Sequence, residues 1–388
     1  MKFLLKLALL FCFFSFGAAL CAEEPQNFLK GSPAVFAVEN TYQIMVRTKV
    51  NSLVRIKVGD TFYTDHINGI RPSEGDVHRF TIPARELENA GKYAVYTQTL
   101  PERLPYLHLT KLQVEHHQVF EFKKLPQDNI RIFNISDVHG RVKQAVAAAA
   151  AAGKFDLLIL NGDLIENSAQ EHTLTTALQL AGDITRGTIP VIYARGNHEM
   201  RGKYAEKLSQ YTPLHRGKNY YLIECGPIFA VVMDAGEDKQ DSHPAYGNTL
   251  ACDEFRLEQL EFLNSDRVKK AFASAGNKYR LVISHVPFPR FAQPGKKIPA
   301  QNVFPVFARW SASLKENFAP QLIICGHLHY KFVDNKPHYL APVVVGATVN
   351  KKTNYVSGCL ITLSKKQWQV KFLSQEGKVE KVVNSTAL

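Results

Sequence analysis

The chain of 388 residues has few cysteines, no dense run of basic residues and no internal repeat. None of the spacings between its six cysteines resembles a zinc site. Lysine and arginine are scattered without interleaved aromatics, so the net charge of +12 indicates a general attraction to anions, not a nucleic-acid groove. A composition of 45% hydrophobic and 21% charged residues indicates neither a disordered chain nor a membrane protein with many spans.

One long apolar run stands at the N-terminus. Lys2 and Lys6 precede or flank the apolar residues 7–16, and residues 17–22 are mostly small. This order predicts a signal peptide over residues 1–22, and hence an exported protein, periplasmic or secreted, without a transmembrane segment after cleavage. Removal of the two lysines would leave a net charge of about +10 (12 − 2).

Two alternatives remain for this N-terminal run. An uncleaved anchor is one, although the run is shorter than the roughly 20 residues that a spanning helix needs. Lipidation at Cys21 is the other, although Leu20 stands where a small residue is expected. A general and a lipoprotein signal peptidase therefore both stay open.

Four cysteines lie beyond that segment. Export would permit disulfides, and Cys225 with Cys252 is a possible pair because the two bracket one loop. Cys325 and Cys359 lie in apolar runs, which favours buried thiols.

Residues 28–125 contain short β-type runs separated by turns. Val54, Ile56 and Val58 alternate with Arg55 and Lys57, which is typical of a half-buried strand. Runs of this kind predict a small all-β sandwich domain over residues 28–125. Its predicted strands cover residues 42–46, 53–58, 93–96 and 119–122.

From about residue 128 to the end, apolar strands alternate with helical stretches, which predicts an α/β layered domain. The predicted strands are 130–135, 156–160, 189–194, 228–233, 280–283 and 322–324, and the predicted helices are 144–152, 169–180 and 254–262.

Five short polar groups each follow an apolar run. They supply oxygen and imidazole donors without any thiolate, which suits two adjacent divalent or trivalent metal ions. Because sites in layered α/β folds form at the carboxyl ends of strands, groups distant in sequence are expected to meet. The groups are Asp137-Val138-His139, Gly162-Asp163, Gly196-Asn197-His198-Glu199, Ser284-His285 and Gly326-His327-Leu328-His329.

The order D-x-H, G-D, G-N-H-E, H and G-H-x-H resembles the calcineurin-like metallophosphoesterase family over roughly residues 128–365. The resemblance implies a layered β-sandwich core flanked by helices. It also implies a dinuclear phosphoric ester hydrolase, in which a metal-bridging hydroxide attacks a phosphate mono- or diester. The ions implied are iron, manganese or zinc. A fibronectin-like domain before such a fold is similar to the arrangement in purple acid phosphatases.

The resemblance also implies a role for each donor. Asp163 bridges the two ions, and His198 is the catalytic histidine that gives a proton to the leaving oxygen, with Glu199 orienting its ring. The implied ligands are Asp137, His139 and His329 for the first ion and Asn197, His285 and His327 for the second.

The chain departs from purple acid phosphatases at two positions. They have D-x-G in the first group and a metal-bound tyrosine three residues after the second aspartate. Here His139 and Glu166 occupy those positions, which implies no tyrosinate ligand and no purple colour. The strand ending at Asp234 also matches the family, and we assign it no chemistry.

The substrate is not identified by these motifs. Arg195, Arg201 and Lys203 flank the third group and are either phosphate contacts or surface charges. The loop 289–305 follows His285 and could form a lid or a substrate wall. No specific nucleic-acid partner is indicated. An exported binding or adhesion protein that uses the fold as a scaffold is the alternative, but such a protein is expected to lose ligands, and here all are present.

Overall fold

The computed structural model describes residues 28–75, 77–108, 114–288, 304–335, 340–350, 352–365 and 367–385. The predicted signal peptide and residues 289–303 of the predicted lid lie outside these ranges. Within them, the strands are β1 (Ala34–Val38), β2 (Thr41–Arg47), β3 (Ser52–Val58), β4 (Thr61–Thr64), β5 (Val77–Pro83), β6 (Lys92–Thr99), β7 (His116–Glu121), β8 (Ile130–Ile135), β9 (Leu157–Asn161), β10 (Val191–Ala194), β11 (Tyr221–Cys225), β12 (Ile228–Met233), β13 (Tyr279–Ser284), β14 (Leu322–Cys325), β15 (Phe332–Asp334), β16 (Val343–Val345), β17 (Thr348–Asn350), β18 (Tyr355–Ser357), β19 (Cys359–Leu363), β20 (Trp368–Leu373) and β21 (Val379–Asn384). The α-helices there are α1 (Ala84–Ala90), α2 (Val142–Ala151), α3 (Thr176–Thr185), α4 (Cys252–Asn264), α5 (Asp266–Ser274) and α6 (Pro305–Asn317).

Two large sheets form the centre of the molecule. One has the strand order β21-β20-β19-β8-β9-β10-β1-β2-β5, and the other has β11-β12-β13-β14-β16-β15. Along β12, Ile228, Ala230 and Val232 pack into the core shared with the first sheet. Their neighbours Phe229 and Val231 pack on the other side, in the core that includes residues of α4, α5 and α6. The predicted layered β-sandwich core with flanking helices is confirmed.

The predicted N-terminal β region is present. β3 alternates as expected, with Val54, Ile56 and Val58 buried, and belongs to a four-stranded sheet in the order β4-β3-β6-β7. The strands β1, β2 and β5, however, continue the nine-stranded sheet, because β1 pairs in parallel with β10 at Phe36 and Val191. The two regions therefore share a sheet, and the boundary between residues 125 and 128 stays a prediction.

The helix predicted over residues 169–180 is wrong in its bounds. Residues Glu171–Thr175 form a 3₁₀ turn, and the α-helix begins only at Thr176. The hydroxyls of Thr173 and Thr175 donate to carbonyls three residues earlier, which stabilises tight turns in place of a first helical turn.

The four cysteines of the described residues are free and buried. The possible disulfide between Cys225 and Cys252 is therefore not formed. The Cys225 thiol lies 3.2 Å from the Tyr42 hydroxyl in the core, whereas Cys252 starts α4. Burial of Cys325 and Cys359 is confirmed. None of the helices described here is long and apolar enough to cross a membrane.

Candidate metal centre

The five polar groups all lie at the carboxyl ends of central strands. β8, β9 and β10 are parallel neighbours in one sheet, and β13 and β14 are parallel neighbours in the other. Because the two sheets pack face to face, the loops after these strands converge on one edge of the sandwich. The position expected from the sequence is thus the one observed.

Five predicted ligands have a left-handed backbone. Their φ angles are 56° at Asp137, 47° at His139, 51° at Asp163, 68° at His327 and 54° at His329. A non-glycine residue in this region costs on the order of 1–3 kcal/mol and persists where the surrounding structure demands it. The strain is concentrated in the turns that aim these side chains at one another.

Two glycines allow the loops to come together. A Cβ atom at Gly196 would lie 2.2 Å from the backbone nitrogen and 2.3 Å from Oδ1 of Asp163. A Cβ atom at Gly162 would lie 2.6 Å from Cγ of His285. Only a residue without a side chain permits these approaches, which explains the glycine before two of the donor groups.

Asp137, His139 and His329 form the first group of donors. Each offers one ligand atom, and these atoms all lie within 4.8 Å of one another. His329 Nε2 lies 3.1 Å from Asp137 Oδ1 and 3.3 Å from His139 Nε2. On the far side of the His139 ring, the Glu166 carboxylate lies 3.3 Å from Nδ1.

Asp163, His285 and His327 form the second group, by the same 4.8 Å measure. His285 Nε2 lies 3.1 Å from Asp163 Oδ2, and Asn197 Oδ1 lies 3.1 Å from His327 Nδ1. A further group of this kind joins Asp163 to His139 and His198. Asp163 therefore faces donors on both sides of the centre.

The residues present fit metal ions, because buried donor atoms face one another across the centre without a well-aligned hydrogen bond between them. Among the described residues these atoms include Asp137 Oδ1, 3.1 Å from His329 Nε2, and His285 Nε2, 3.1 Å from Asp163 Oδ2. The other atom of each group is satisfied: Asp137 Oδ2 accepts from Ser136 and the His327 backbone, and His285 Nδ1 lies 2.6 Å from the carbonyl of Asn161. A carboxylate oxygen and an imidazole nitrogen directed into the centre in this way are the donors that iron, manganese or zinc accepts.

The ionisation of each donor depends on its neighbours. Burial opposes ionisation of Asp163, but His285 and His198 together outweigh burial and lower the pKa of the carboxyl. Burial likewise opposes ionisation of Asp137, but His329 and His285 lower the pKa of its carboxyl. Burial alone would lower the pKa of His285, but Asp163 raises it to about 10. In the absence of a metal ion, a proton on His285 therefore balances these carboxylates.

Glu199 does not orient His198, so this expectation is wrong. The Glu199 carboxylate is buried and accepts from the backbone N–H groups of Asp163, Leu164 and Gly196 at 3.0, 2.7 and 3.1 Å. The short 3₁₀ turn His198–Met200 directs the two side chains to different surroundings. Glu199 thus connects the loop after β9 to the loop after β10.

His198 is oriented by other atoms. Its Nδ1 lies 2.7 Å from the carbonyl oxygen of Glu166, which can only accept, so Nδ1 carries the hydrogen. Its Nε2 lies 3.1 Å from Nη1 of Arg201 and 3.8 Å from Oδ2 of Asp163. Nε2 is therefore the nitrogen that faces the centre.

The three flanking basic residues have different surroundings. Arg195 pairs with buried Asp234 at 2.6 Å, and Lys203 lies 5.0 Å from the centroid of the Tyr204 ring. Arg201 contacts His198 and is the one of the three placed by the structure against a predicted site residue.

Two acidic residues of the centre were missed in the sequence. Glu237 accepts from the Asn197 amide at 3.1 Å, and Asp238 Oδ2 lies 3.6 Å from His327 Nε2. Both follow β12, whose end at Asp234 was recognised only as a structural match. The sequence signal that could have identified them is an acidic pair shortly after β12, a strand of the six-stranded sheet.

One family model and several solved structures match this chain. The sequence model of the calcineurin-like phosphoesterase family matches residues 130–331. No curated protein matches the chain significantly. Among solved structures, a purple acid phosphatase from yellow lupin (Lupinus luteus) seeds is similar with a TM-score of 0.58 and 11% identity, over 91% of this chain and 73% of that one.

Two further structures are similar over 67% of this chain. A dimetal phosphatase from Danio rerio has 12% identity, a TM-score of 0.46 and 100% of its own chain covered. GAP50, the anchor in the inner membrane complex of Plasmodium, has 14% identity, a TM-score of 0.44 and 90% of its chain covered.

This chain belongs to the calcineurin-like phosphoesterase family. Membership and the grouped histidines and aspartates support a metal-dependent phosphoesterase.

Proposed function

We propose that this protein is an exported hydrolase that cleaves phosphate mono- or diesters at a centre of two metal ions. The observation that carries the proposal is the position of Asp163, which shares one donor group with His139 and another with His285 and His327. A carboxylate has two oxygens and one charge, which suits two cations about 4 Å apart.

Seven residues would hold the ions. Bound there, divalent or trivalent ions would activate water as a nucleophile and offset charge that develops on the phosphoryl oxygens. Their identity is proposed as iron, manganese or zinc, since the donors are imidazole nitrogens and oxygens. Asp137, His139 and His329 would hold the first ion, Asn197, His285 and His327 would hold the second, and Asp163 would be shared by both.

His198 would assist departure of the leaving group. Its Nδ1–H is held by the Glu166 carbonyl, so that Nε2 is directed into the centre at 3.8 Å from Asp163. In the substrate-free protein Nε2 accepts from Arg201 Nη1 at 3.1 Å, so Arg201 must turn to a phosphoryl oxygen before Nε2 takes up a proton. Nε2–H could then pass that proton to the leaving oxygen as the bond to phosphorus breaks. A binding or adhesion role is less well supported, because every expected donor is present: six lie in these groups, and Asn197 lies beside His327.

The test compares hydrolysis of a chromogenic phosphate diester with that of the matching monoester. The purified protein is assayed with added manganese, iron or zinc, and Asp163→Asn serves as the blank. We expect turnover that falls by orders of magnitude in the variant, and the faster substrate identifies the ester class. Equal rates for wild type and a folded Asp163→Asn variant would refute the proposal.

Export is proposed from the N-terminal sequence. Expression of the full chain with its own N-terminus, followed by N-terminal sequencing of the mature protein, tests it. A mature chain that begins near residue 23 is expected, and an intact N-terminus on a protein retained in the cytoplasm would contradict export.

A further inference from the structure

A completely buried carboxylate lies behind the second donor group. Glu237 is 0% exposed, and its Oε2 accepts from Asn197 Nδ2 at 3.1 Å and from the Tyr246 hydroxyl at 3.0 Å. The same carboxylate receives the Arg201 guanidinium in a two-point contact, Nε to Oε1 at 2.5 Å and Nη2 to Oε2 at 2.7 Å. A buried charge is tolerated only when it is paired and hydrogen-bonded in this way.

We infer that Glu237 is a positioning residue that makes Asn197 an oxygen donor to the second metal ion and holds Arg201 beside His198 for the substrate phosphoryl group. The inference rests on the proposed function.

The orientation of the Asn197 amide follows from Glu237. A carboxylate only accepts hydrogen bonds, so the atom of Asn197 that faces it must be the NH₂ group. The amide oxygen is then directed the opposite way, where it lies 3.1 Å from Nδ1 of His327. Without Glu237 the amide could rotate and present NH₂, which cannot bind a cation.

The orientation of Arg201 follows from the same carboxylate. Its Nε and Nη2 are engaged by Glu237, which leaves Nη1, 3.1 Å from His198 Nε2. The side chain is 34% exposed, so a phosphoryl oxygen beside His198 could accept from Nη1. The planar guanidinium makes both contacts at once, whereas the single ammonium of lysine would not.

Glu237 itself is held firmly. The Glu237 carbonyl accepts from Nη2 of the buried Arg256 at 2.5 Å, and Arg256 Nε donates to the carbonyl of Ala235 at 2.8 Å. The loop after β12 is therefore anchored to α4. A rigid support of this kind is what a metal ligand and a substrate contact both require.

The substitution that tests the inference is Glu237→Gln. Glutamine has the same shape but one acceptor oxygen, so it cannot receive Asn197 and both Arg201 nitrogens together. Arg55 and Glu115 supply a matched control, because they form the same two-point contact, at 2.8 and 2.5 Å, within the N-terminal β region. Glu115→Gln removes a two-point contact of the same kind, with Glu115 25% exposed, beside the sheet β4-β3-β6-β7, which contains none of the predicted metal ligands.

The first measurement is calorimetric titration of the metal-free protein with Mn²⁺. We expect Glu237→Gln to weaken binding by about 10–100-fold, as loss of a residue behind a ligand does, and Glu115→Gln to bind as wild type does. Asn197→Ala should weaken binding too, and the double variant should be no weaker than Asn197→Ala alone. Binding by Glu237→Gln at wild-type strength, or losses that simply add, would overturn the inference.

The second measurement tests Arg201 by the affinity of the Mn²⁺-saturated protein for inorganic phosphate. Arg201→Lys and Glu237→Gln should each weaken phosphate binding, and the double variant should bind phosphate only slightly more weakly than either single variant. Fully additive losses, or a loss in neither variant, would contradict the placement of Arg201 by Glu237. Neither titration uses turnover, so inactivity on every ester would refute the proposed function and leave this result standing.

Discussion

His285 Nε2 lies 3.1 Å from Asp163 Oδ2, while His285 Nδ1–H donates to the carbonyl of Asn161 at 2.6 Å. The space between this buried nitrogen and this buried oxygen holds one proton in the metal-free protein. A metal ion would displace that proton on binding. The stability of the metal-free protein should depend on pH as a consequence.

The first prediction concerns this pH dependence. Asp163 raises the pKa of His285 from 6.5 to about 10 in the folded metal-free protein. A raised pKa adds stability that is complete below pH 6.5 and is lost as pH rises towards 10. The urea midpoint of wild type should exceed that of His285→Asn most at the lower pH, and the gap should narrow as pH rises.

Urea titrations of both proteins in the presence of a chelator measure that gap. Added Mn²⁺ is the control, since it should raise the wild-type midpoint and flatten its pH dependence. A gap that stays constant across this pH range would show that His285 holds no such proton.

The second prediction concerns His198 as a proton donor. His198→Gln should slow hydrolysis by about a hundred-fold or more for an alkyl leaving group, which needs a proton. A nitrophenyl leaving group departs as a stable anion, so the substitution should slow hydrolysis of a nitrophenyl ester much less. Rates for a series of esters of increasing leaving-group pKa test this, and equal losses throughout the series would exclude proton donation by His198.

The third prediction concerns the close approach at Gly196. Gly196→Ala places a Cβ within 2.2 Å of the Asp163 backbone, so the loop must shift, and overpacking of this kind costs about 1–3 kcal/mol. Mn²⁺ binding should fall with it. Gly59→Ala is the control, because Gly59 has a φ of 55° in open space: it should cost about 1 kcal/mol through strain and leave Mn²⁺ binding intact. Equal metal binding in both variants would contradict the prediction.

The fourth prediction concerns colour. Glu166 stands where purple acid phosphatases have a metal-bound tyrosine, and its carboxylate lies beside His139 Nδ1. Without a phenolate ligand no charge-transfer transition from phenolate to iron is available. The absorption spectrum of the protein loaded with ferric iron should lack an intense visible band, and such a band would mean that a tyrosinate reaches the metal.

The fifth prediction concerns the thiols. Burial raises the pKa of Cys225 and Cys359 to about 12 and that of Cys252 to about 11, so little thiolate forms near neutral pH. Iodoacetamide should label none of these three in the native protein at about pH 8 and all of them in urea, as peptide mass spectrometry can show. Labelling of the native protein, or a linked pair of cysteine peptides, would contradict the buried free thiols.

Much of the centre could be predicted from sequence because metal donors are chemically specific and their turns are local. Asp137 and Asp163 each lie just beyond a strand whose apolar run is evident, and parallel strands bring their carboxyl ends to one edge. The same reasoning failed for Glu199, since its position within a motif says nothing about where a 3₁₀ turn directs its side chain.

The kinds of donor, their order and their place after each strand could be read from the chain, because these follow from residue chemistry and short-range pattern. Which side chains support the donors depends instead on contacts between distant parts of the fold. Glu237 lies forty residues from Asn197 and meets it because β10 and β12 lie in facing sheets. The pairing of β1 with β10 was decided in the same way, since hydrogen bonds between strands distant in the chain leave no local mark on either.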